Sequence, residues 1–278
     1  MNRYARQRIW FLVFWSVALV TLSILLLLIL YILANGLSSL SFEFVSASPS
    51  RMGKEGGIYP IIIGTLMLVG LSLMLAAPIG IGAAVFLNEY VRQGAATSLI
   101  RYATETLAGI PSIVFGLFGF VFFVIKLKMG WSIISGAMTL ALMVMPTIVR
   151  TAEEAMKAVP LSYREGSYAL GANKWQTIRF VVLPSAIPGI AVGIILSFGR
   201  ALGETAAVLL TAGSSLNMPQ TLSDPARSLA VHLYILASEG ISMERAFATA
   251  SILVMTIFAI NLLANFLMRR MSSRFSQF

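Results

Sequence analysis

The sequence predicts an all-α membrane protein with six transmembrane helices in one domain, residues 1–278, and three observations carry that prediction. The residues are 58% hydrophobic and 11% charged, where a soluble domain has about a quarter of its residues charged. The run Ile9–Phe42 holds no Lys, Arg, Asp or Glu, which exceeds the ~20 residues needed to cross ~30 Å of hydrocarbon. The cations are also distributed unevenly between alternate connections, as the positive-inside rule requires of a multi-pass protein.

Apolar windows separated by turn signals place the spans at about 9–36, 58–87, 100–125, 132–152, 185–212 and 244–268. The first follows Arg3, Arg6 and Arg8 as a signal peptide would. It is too long for a secretory apolar region and has no A-x-A-like cleavage site, so it reads as a retained helix. An even number of spans puts both termini on one side. Arg3, Arg6, Arg8, Arg92, Arg101, Arg150, Lys157, Arg164, Lys174, Arg179, Arg269, Arg270 and Arg274 then share that side. Arg51, Lys54, Lys126, Lys128, Arg227 and Arg245 face the other, and Arg200 alone lies within a span. The richer side is cytoplasmic, which puts both termini inside. The formal charge of +9 is thereby explained by the lipid bilayer rather than by nucleic acid.

The external connections are short, the longest being about 213–243, so capture of a solute falls to a partner. Within that connection Leu229–Ala237 is apolar enough for a re-entrant or an interfacial helix, and the sequence leaves the choice open.

The connection 153–184 carries helical signals. Pro160 and Ser162 begin a helix over Tyr163–Leu170 that Gly171 ends, and Asn173 caps a second helix running to Leu183 before Pro184. Tyr168, Leu170 and Trp175 would project from this hairpin as an apolar knob. That suits a docked partner, although an amphipathic surface linker would read alike.

The fifth span carries the costliest residues. Arg200 falls ~22 Å along a helix begun at Ser185, and an ionised side chain at mid-membrane costs roughly 2.5–3.5 kcal/mol on insertion scales. On a helical wheel Gly189, Gly193, Arg200, Gly203 and Glu204 share an arc of about 100°. Gly189-x-x-x-Gly193 and Gly199-x-x-x-Gly203 both have close-packing spacing. One reading is an internal Arg200–Glu204 pair at i, i+4 that orients the helix. The other has Arg200 meet an anion while Glu204 positions its guanidinium, whose planar fork of donors suits phosphate oxygens. The two readings are compatible.

Glu165-Gly166-Ser167, three residues, Gly171, nine residues, then Val181-x-Leu183-Pro184 resembles the EAA loop of ABC importer permeases, with Gly166, Ser167 and Val181 replacing Ala, Ala and Ile. Gly199-Arg200-Ala201-Leu202-Gly203-Glu204-Thr205-Ala206 resembles the R-x-x-G-E-T-A signature of phosphate-specific permeases in that family. Gly109-Ile110-Pro111-Ser112-Ile113-Val114-Phe115-Gly116-Leu117 is similar to their third-span motif, and Pro78–Gly82 with Glu89-Tyr90 to the end of their second. The short N-terminus and the lack of a large external insertion favour the PstA type. The resemblance implies a type I, MetI-like importer permease fold and a substrate pathway through Ser112, Arg200, Glu204 and Thr205. It also implies ATPase coupling through Glu165, Tyr168, Ala169, Gly171, Trp175, Leu183 and Pro184. The implied partners are a second permease (PstC type), an ATPase dimer (PstB type) and an external phosphate-binding protein (PstS type).

No G-x-x-x-x-G-K-[ST] cradle occurs in the chain, so ATP and Mg belong to the partner ATPase and no cofactor is expected here. The chain reads as a transport subunit, not an enzyme, since no nucleophile, base and oxyanion set occurs at helical spacing. Sulfate or molybdate is the alternative substrate, and an anion channel the alternative class, which has no use for the EAA-like loop. There is no cysteine, hence no disulfide or thiolate site. His232 is expected to pack or bond to backbone, and Glu153 and Glu154 to be solvated or paired with Lys157.

Overall fold

The computed structural model describes residues 3–91 and 94–275. Arg92 lies outside the described residues, as do the side chains of Arg3, Arg6, Arg269, Arg270 and Arg274. In chain order the helices are α1 (Arg3–Gly36), α2 (Phe42–Ser46), α3 (Tyr59–Val85), α4 (Ala95–Ala108), α5 (Ser112–Gly119), α6 (Ile133–Lys157), α7 (Leu161–Ala169), α8 (Lys174–Thr177), α9 (Leu183–Leu202), α10 (Ala206–Thr211), α11 (Leu229–Ser238) and α12 (Met243–Phe275). A two-residue antiparallel ribbon pairs Pro49 with Gly56 and Ser50 with Glu55.

Among the described residues five helices are long and apolar enough to cross a membrane: Gln7–Ser39, Tyr59–Tyr90, Ile133–Lys157, Lys174–Leu202 and Met243–Phe266. A sixth crossing results if Thr97–Ala108 and Ser112–Lys126, bent by 96°, count as one broken span. The third span, expected as one helix over 100–125, is therefore divided. The reason is local: Gly109 ends α4, and Pro111 at ψ 140° leaves the helical region before α5 begins.

The fifth span departs from expectation at both ends. It was expected over 185–212, with a separate short helix stopping before Pro184. Instead Lys174–Leu202 runs through, and Pro184 is absorbed because Ile178–Val182 forms a wider π turn just ahead of it. The carbonyl that a proline ring would strike, that of Phe180, lies inside this widened turn. At the other end α9 stops at Leu202, and α10 starts anew at Ala206.

The core forms around α6, which lies between α3 and α9. Met143, Val144 and Ile148 on α6 are buried in one cluster with Leu68, Val69 and Ala76 of α3, and Ala152 and Met156 in a second with Ala84 of α3 and Ala186 and Ile190 of α9. Gly189 and Gly193 let α9 close on α6. A Cβ at Gly189 would lie 2.6 Å from that of Ala155, and one at Gly193 would strike Thr151. Gly199 and Gly203, the second pair at that spacing, meet no neighbouring helix. By contrast α1 leaves its apolar window wholly uncovered. It is held near one end to α12, where Ser251 Oγ donates to Ile32 O at 3.2 Å and Tyr31 meets Phe247 edge-on at 5.7 Å.

The connection after α10 closes the end of the bundle where α6 begins. The first N–H groups of α6 lack partners within the helix. Ser132 Oγ accepts from Ser135 N, while Ile133 N and Ile134 N donate to Asp224 O and Leu222 O at 2.9 and 3.0 Å. Asp224 Oδ2 accepts from Gln220 N and Thr221 N, both at 2.8 Å. These donors hold its carboxyl below the usual carboxylate range. Beyond them α11 buries Leu229, Val231, His232, Ile235 and Leu236, against α3 and α12. His232 Nδ1 sits 3.4 Å from Arg227 Nη1, and its ring lies over Gly53.

Candidate functional site

Two places gather the polar and exposed residues that a purely structural bundle would not need. The first lies where the two interrupted spans meet. Ser112 opens α5 directly after the Pro111 break, and Glu204 and Thr205 occupy the break between α9 and α10. The helices on either side are pressed together: a Cβ at Gly116 would stand 2.9 Å from Ala207 Cα, so only glycine admits α10 this closely. That contact brings the two breaks to one level. The Ser112 hydroxyl then faces the Glu204 carboxyl, which is half-buried and also feels the charge of Arg200.

Arg200 sits in the last turn of α9, where the negative end of the helix dipole favours a cation. The ion pairs among the described residues do not include Arg200 with Glu204. The i, i+4 pairing assumed a helix continuing through Glu204, and the end of α9 at Leu202 removes that geometry. For the same reason Gly203 and Glu204 leave the wheel position assigned to them. Ser112, Arg200, Glu204 and Thr205 each remain partly exposed. The arrangement is one open wall with a cation, a carboxyl and two hydroxyls, able to donate hydrogen bonds and offer positive charge to a small anion.

The second place is the hairpin between α6 and α9. Helix α7 ends in a Schellman arrangement: Ala172 N donates to Ser167 O and Gly171 N to Tyr168 O, at 3.2 and 2.9 Å. Gly171 has φ +85°, and an added Cβ would meet nothing within 4 Å. Glycine is required there for its backbone angle rather than for space. Asn173 and Gln176 then form a reciprocal capping box at 2.8 and 2.9 Å that starts α8. Ser167 and Thr177 hydroxyls, 2.9 Å apart, tie the two helices together.

At the tip Leu170 is 91% exposed, and Trp175, Tyr168 and Leu161 are exposed with it. Glu165, Ala169 and Gly171 share this surface. Leu183 and Pro184, grouped with them on sequence grounds, lie half-buried at the base, where Leu183 packs on Val182 and Ala186.

Sequence reasoning missed the network at the foot of the hairpin. Glu153 is buried, and one of its oxygens meets both Arg101 Nη2 at 2.6 Å and Lys157 Nζ at 2.7 Å. Glu154 pairs instead with Arg150 at 3.0 Å. Arg101, Glu105 and Arg150 also border a cavity of about 290 Å³ between α4 and α6. Arg164 reaches Glu89, 75 residues away, at 2.9 Å. Local i, i+4 spacing marks only the Glu153–Lys157 and Arg150–Glu154 pairs among these contacts.

Spans broken inside the bundle around ionisable side chains serve passage of a solute and are a liability in a mere anchor, so the fold and site define a membrane permease. The chain belongs to the family of binding-protein-dependent transport system inner membrane components, whose model matches residues 76–277. Its fold is the type I, MetI-like importer permease fold.

Among its relatives is the "Probable ABC transporter permease protein YqgI" of Bacillus subtilis (strain 168), 35% identical over 283 residues and covering 96% of each chain. Another is "Phosphate transport system permease protein PstA 1" of Mycobacterium tuberculosis (strain CDC 1551 / Oshkosh), 38% identical over 212 residues, 75% of this chain and 69% of that one. The crystal structure of a bacterial ABC transporter involved in import of the acidic polysaccharide alginate superposes with a TM-score of 0.71. That match has 18% identity and spans 97% of this chain and 99% of the other.

Proposed function

We propose that this permease passes inorganic phosphate inward across the bacterial cytoplasmic membrane, driven by a separate ATPase. The observation that carries the reading is the junction of the two broken spans, which sets Arg200 beside Ser112, Glu204 and Thr205 in an apolar bundle. The relatives named as phosphate transport permeases support the choice of anion. Arg200 supplies a fixed positive charge and a fork of donors for phosphate oxygens. Glu204 and Ser112 hold the neighbouring polar surface in place, and the glycine-walled contact between α5 and α10 sets their spacing.

The hairpin over 161–177 stands in the cytosol and docks on the ATPase through Leu170, Trp175 and Tyr168. The EAA-like spacing and the preponderance of cations on that side support this orientation. ATP with Mg acts on the ATPase dimer. A second permease completes the passage of which this chain forms one wall, and an external binding protein delivers the anion.

Labelled-phosphate uptake in cells lacking and then regaining this chain tests the reading, with sulfate and molybdate as competitors. Restored uptake that phosphate alone suppresses is expected. Suppression by sulfate or molybdate at equal concentration transfers the substrate to that anion.

A further inference from the structure

The hairpin is joined to the bundle covalently at α6 and α9, and a third link comes from side chains. Arg164, on the inner face of α7, spreads its guanidinium over three acceptors in two places, the end of α6 and the turn that ends the second span. Nη1 donates to Val159 O at 2.9 Å, and Nη2 donates to Met156 O at 3.0 Å and to Glu89 Oε1 at 2.9 Å. Met156 lies in the last turn of α6 and Val159 just past its Ala158 C-cap, so the cation also donates to carbonyls at the end of that helix. Glu89 lies in the π turn Phe86–Tyr90 that ends the second span.

The pair is sheltered, with the Arg164 and Glu89 side chains 14% and 8% exposed. Asn88 Nδ2 donates to the same carboxylate oxygen at 2.8 Å, which fixes its direction. Beside it Lys174, at the start of α8, stands over the Tyr90 ring at 4.9 Å. Two cations from the two hairpin helices thus grip two consecutive residues at the end of α3. An exposed surface pair would be weak and dispensable. A sheltered, bidentate-capable guanidinium that also caps a helix is neither.

The geometry points to Arg164 and Glu89 as a positioning pair that makes the second span move with the hairpin, so that force delivered at Leu170 reaches α3 as well as α6 and α9. This inference rests on the reading of the hairpin as the ATPase dock. Arg164 and Glu89 touch neither anion nor nucleotide in this scheme, and their effect appears in coupling rather than in docking.

The test uses the complete transporter in vesicles with its ATPase, second permease and binding protein, measuring phosphate uptake and ATP hydrolysis together. Because the chain has no cysteine, Ser162→Cys, at an exposed position of α7 outside the docking residues, gives a single attachment point for crosslinking to the ATPase. With Glu89→Gln, the crosslink and ATP hydrolysis should persist while phosphate moved per ATP falls about tenfold, the scale of one charge-assisted hydrogen bond. Glu89→Asp should recover part of the loss.

Unchanged uptake per ATP in Glu89→Gln overturns the positioning role and leaves the docking reading intact. Loss of the crosslink in Glu89→Gln also overturns it, since the pair would then only shape the hairpin. A parent Ser162→Cys chain that transports but never crosslinks removes the dock itself, and with it the premise.

Discussion

The hairpin over 161–177 and the junction of Ser112 with Glu204 both exist because a helix stops at a glycine, yet they are built in opposite ways. At Gly171 the stop is self-contained. Its left-handed φ, the Schellman bonds and the Asn173 capping box all lie within ten residues. At Gly203 the backbone stays right-handed at φ −82°, and what fixes the break is the contact of Gly116 with Ala207 from a helix some ninety residues earlier. A structure made from neighbours in sequence can stand in water with an exposed apolar tip. A structure made from distant segments needs the bundle to hold it and collapses if either half shifts.

This contrast can be broken most decisively at the junction. Arg200→Gln should leave the chain assembled and abolish labelled-phosphate uptake, because each hydrogen bond to a charged group is worth about 1.5–3 kcal/mol. Normal uptake in that variant would falsify the role given to the arginine. Gly116→Leu should come next, with overpacking of about 1–3 kcal/mol between α5 and α10. A fall in the membrane-extracted protein's unfolding temperature would be the readout, and an unchanged temperature would show that the two breaks are not held together there.

Gly171→Ala should cost only about 1 kcal/mol, the left-handed backbone penalty, and reduce ATPase docking by a few fold in a pull-down. Full docking would mean that the hairpin's shape is not what the partner reads.

The smallest effect is one of pH. Asp224 has its carboxyl held below the usual range by Gln220 N and Thr221 N, so its contribution is complete above the ordinary carboxylate value near about 3.9. It is lost as pH falls through the lower folded value. Amide exchange at Gln220 and Thr221 should therefore accelerate only on strong acidification, and Asp224→Asn should remove that dependence. An exchange rate that climbs already between neutral pH and the ordinary carboxylate value would contradict the capping role.

The same contrast explains what could be read from the chain alone. Gly171, Asn173 and the Leu170 knob announce themselves because their bonds are local. The end of α9 at Leu202 was not legible, since Ala206–Ala212 continues the apolar composition and nothing nearby forbids helix. The Arg200–Glu204 pairing failed with it. Pro184 misled in the other direction, because the π turn that accommodates it has no sequence mark of its own. The Arg164–Glu89 contact joins residues with no periodic relation, so only folding brings them together.

The unbroken run Lys174–Leu202 has a mechanical consequence. At 1.5 Å per residue its 29 residues form a rod of ~43 Å, and Gly189 and Gly193, which seat it on α6, lie close to its midpoint. A stiff beam resting on a central bearing turns like a seesaw. Displacement of the Trp175 end towards one side would carry Arg200 towards the other by a comparable distance, with no hinge needed between the two.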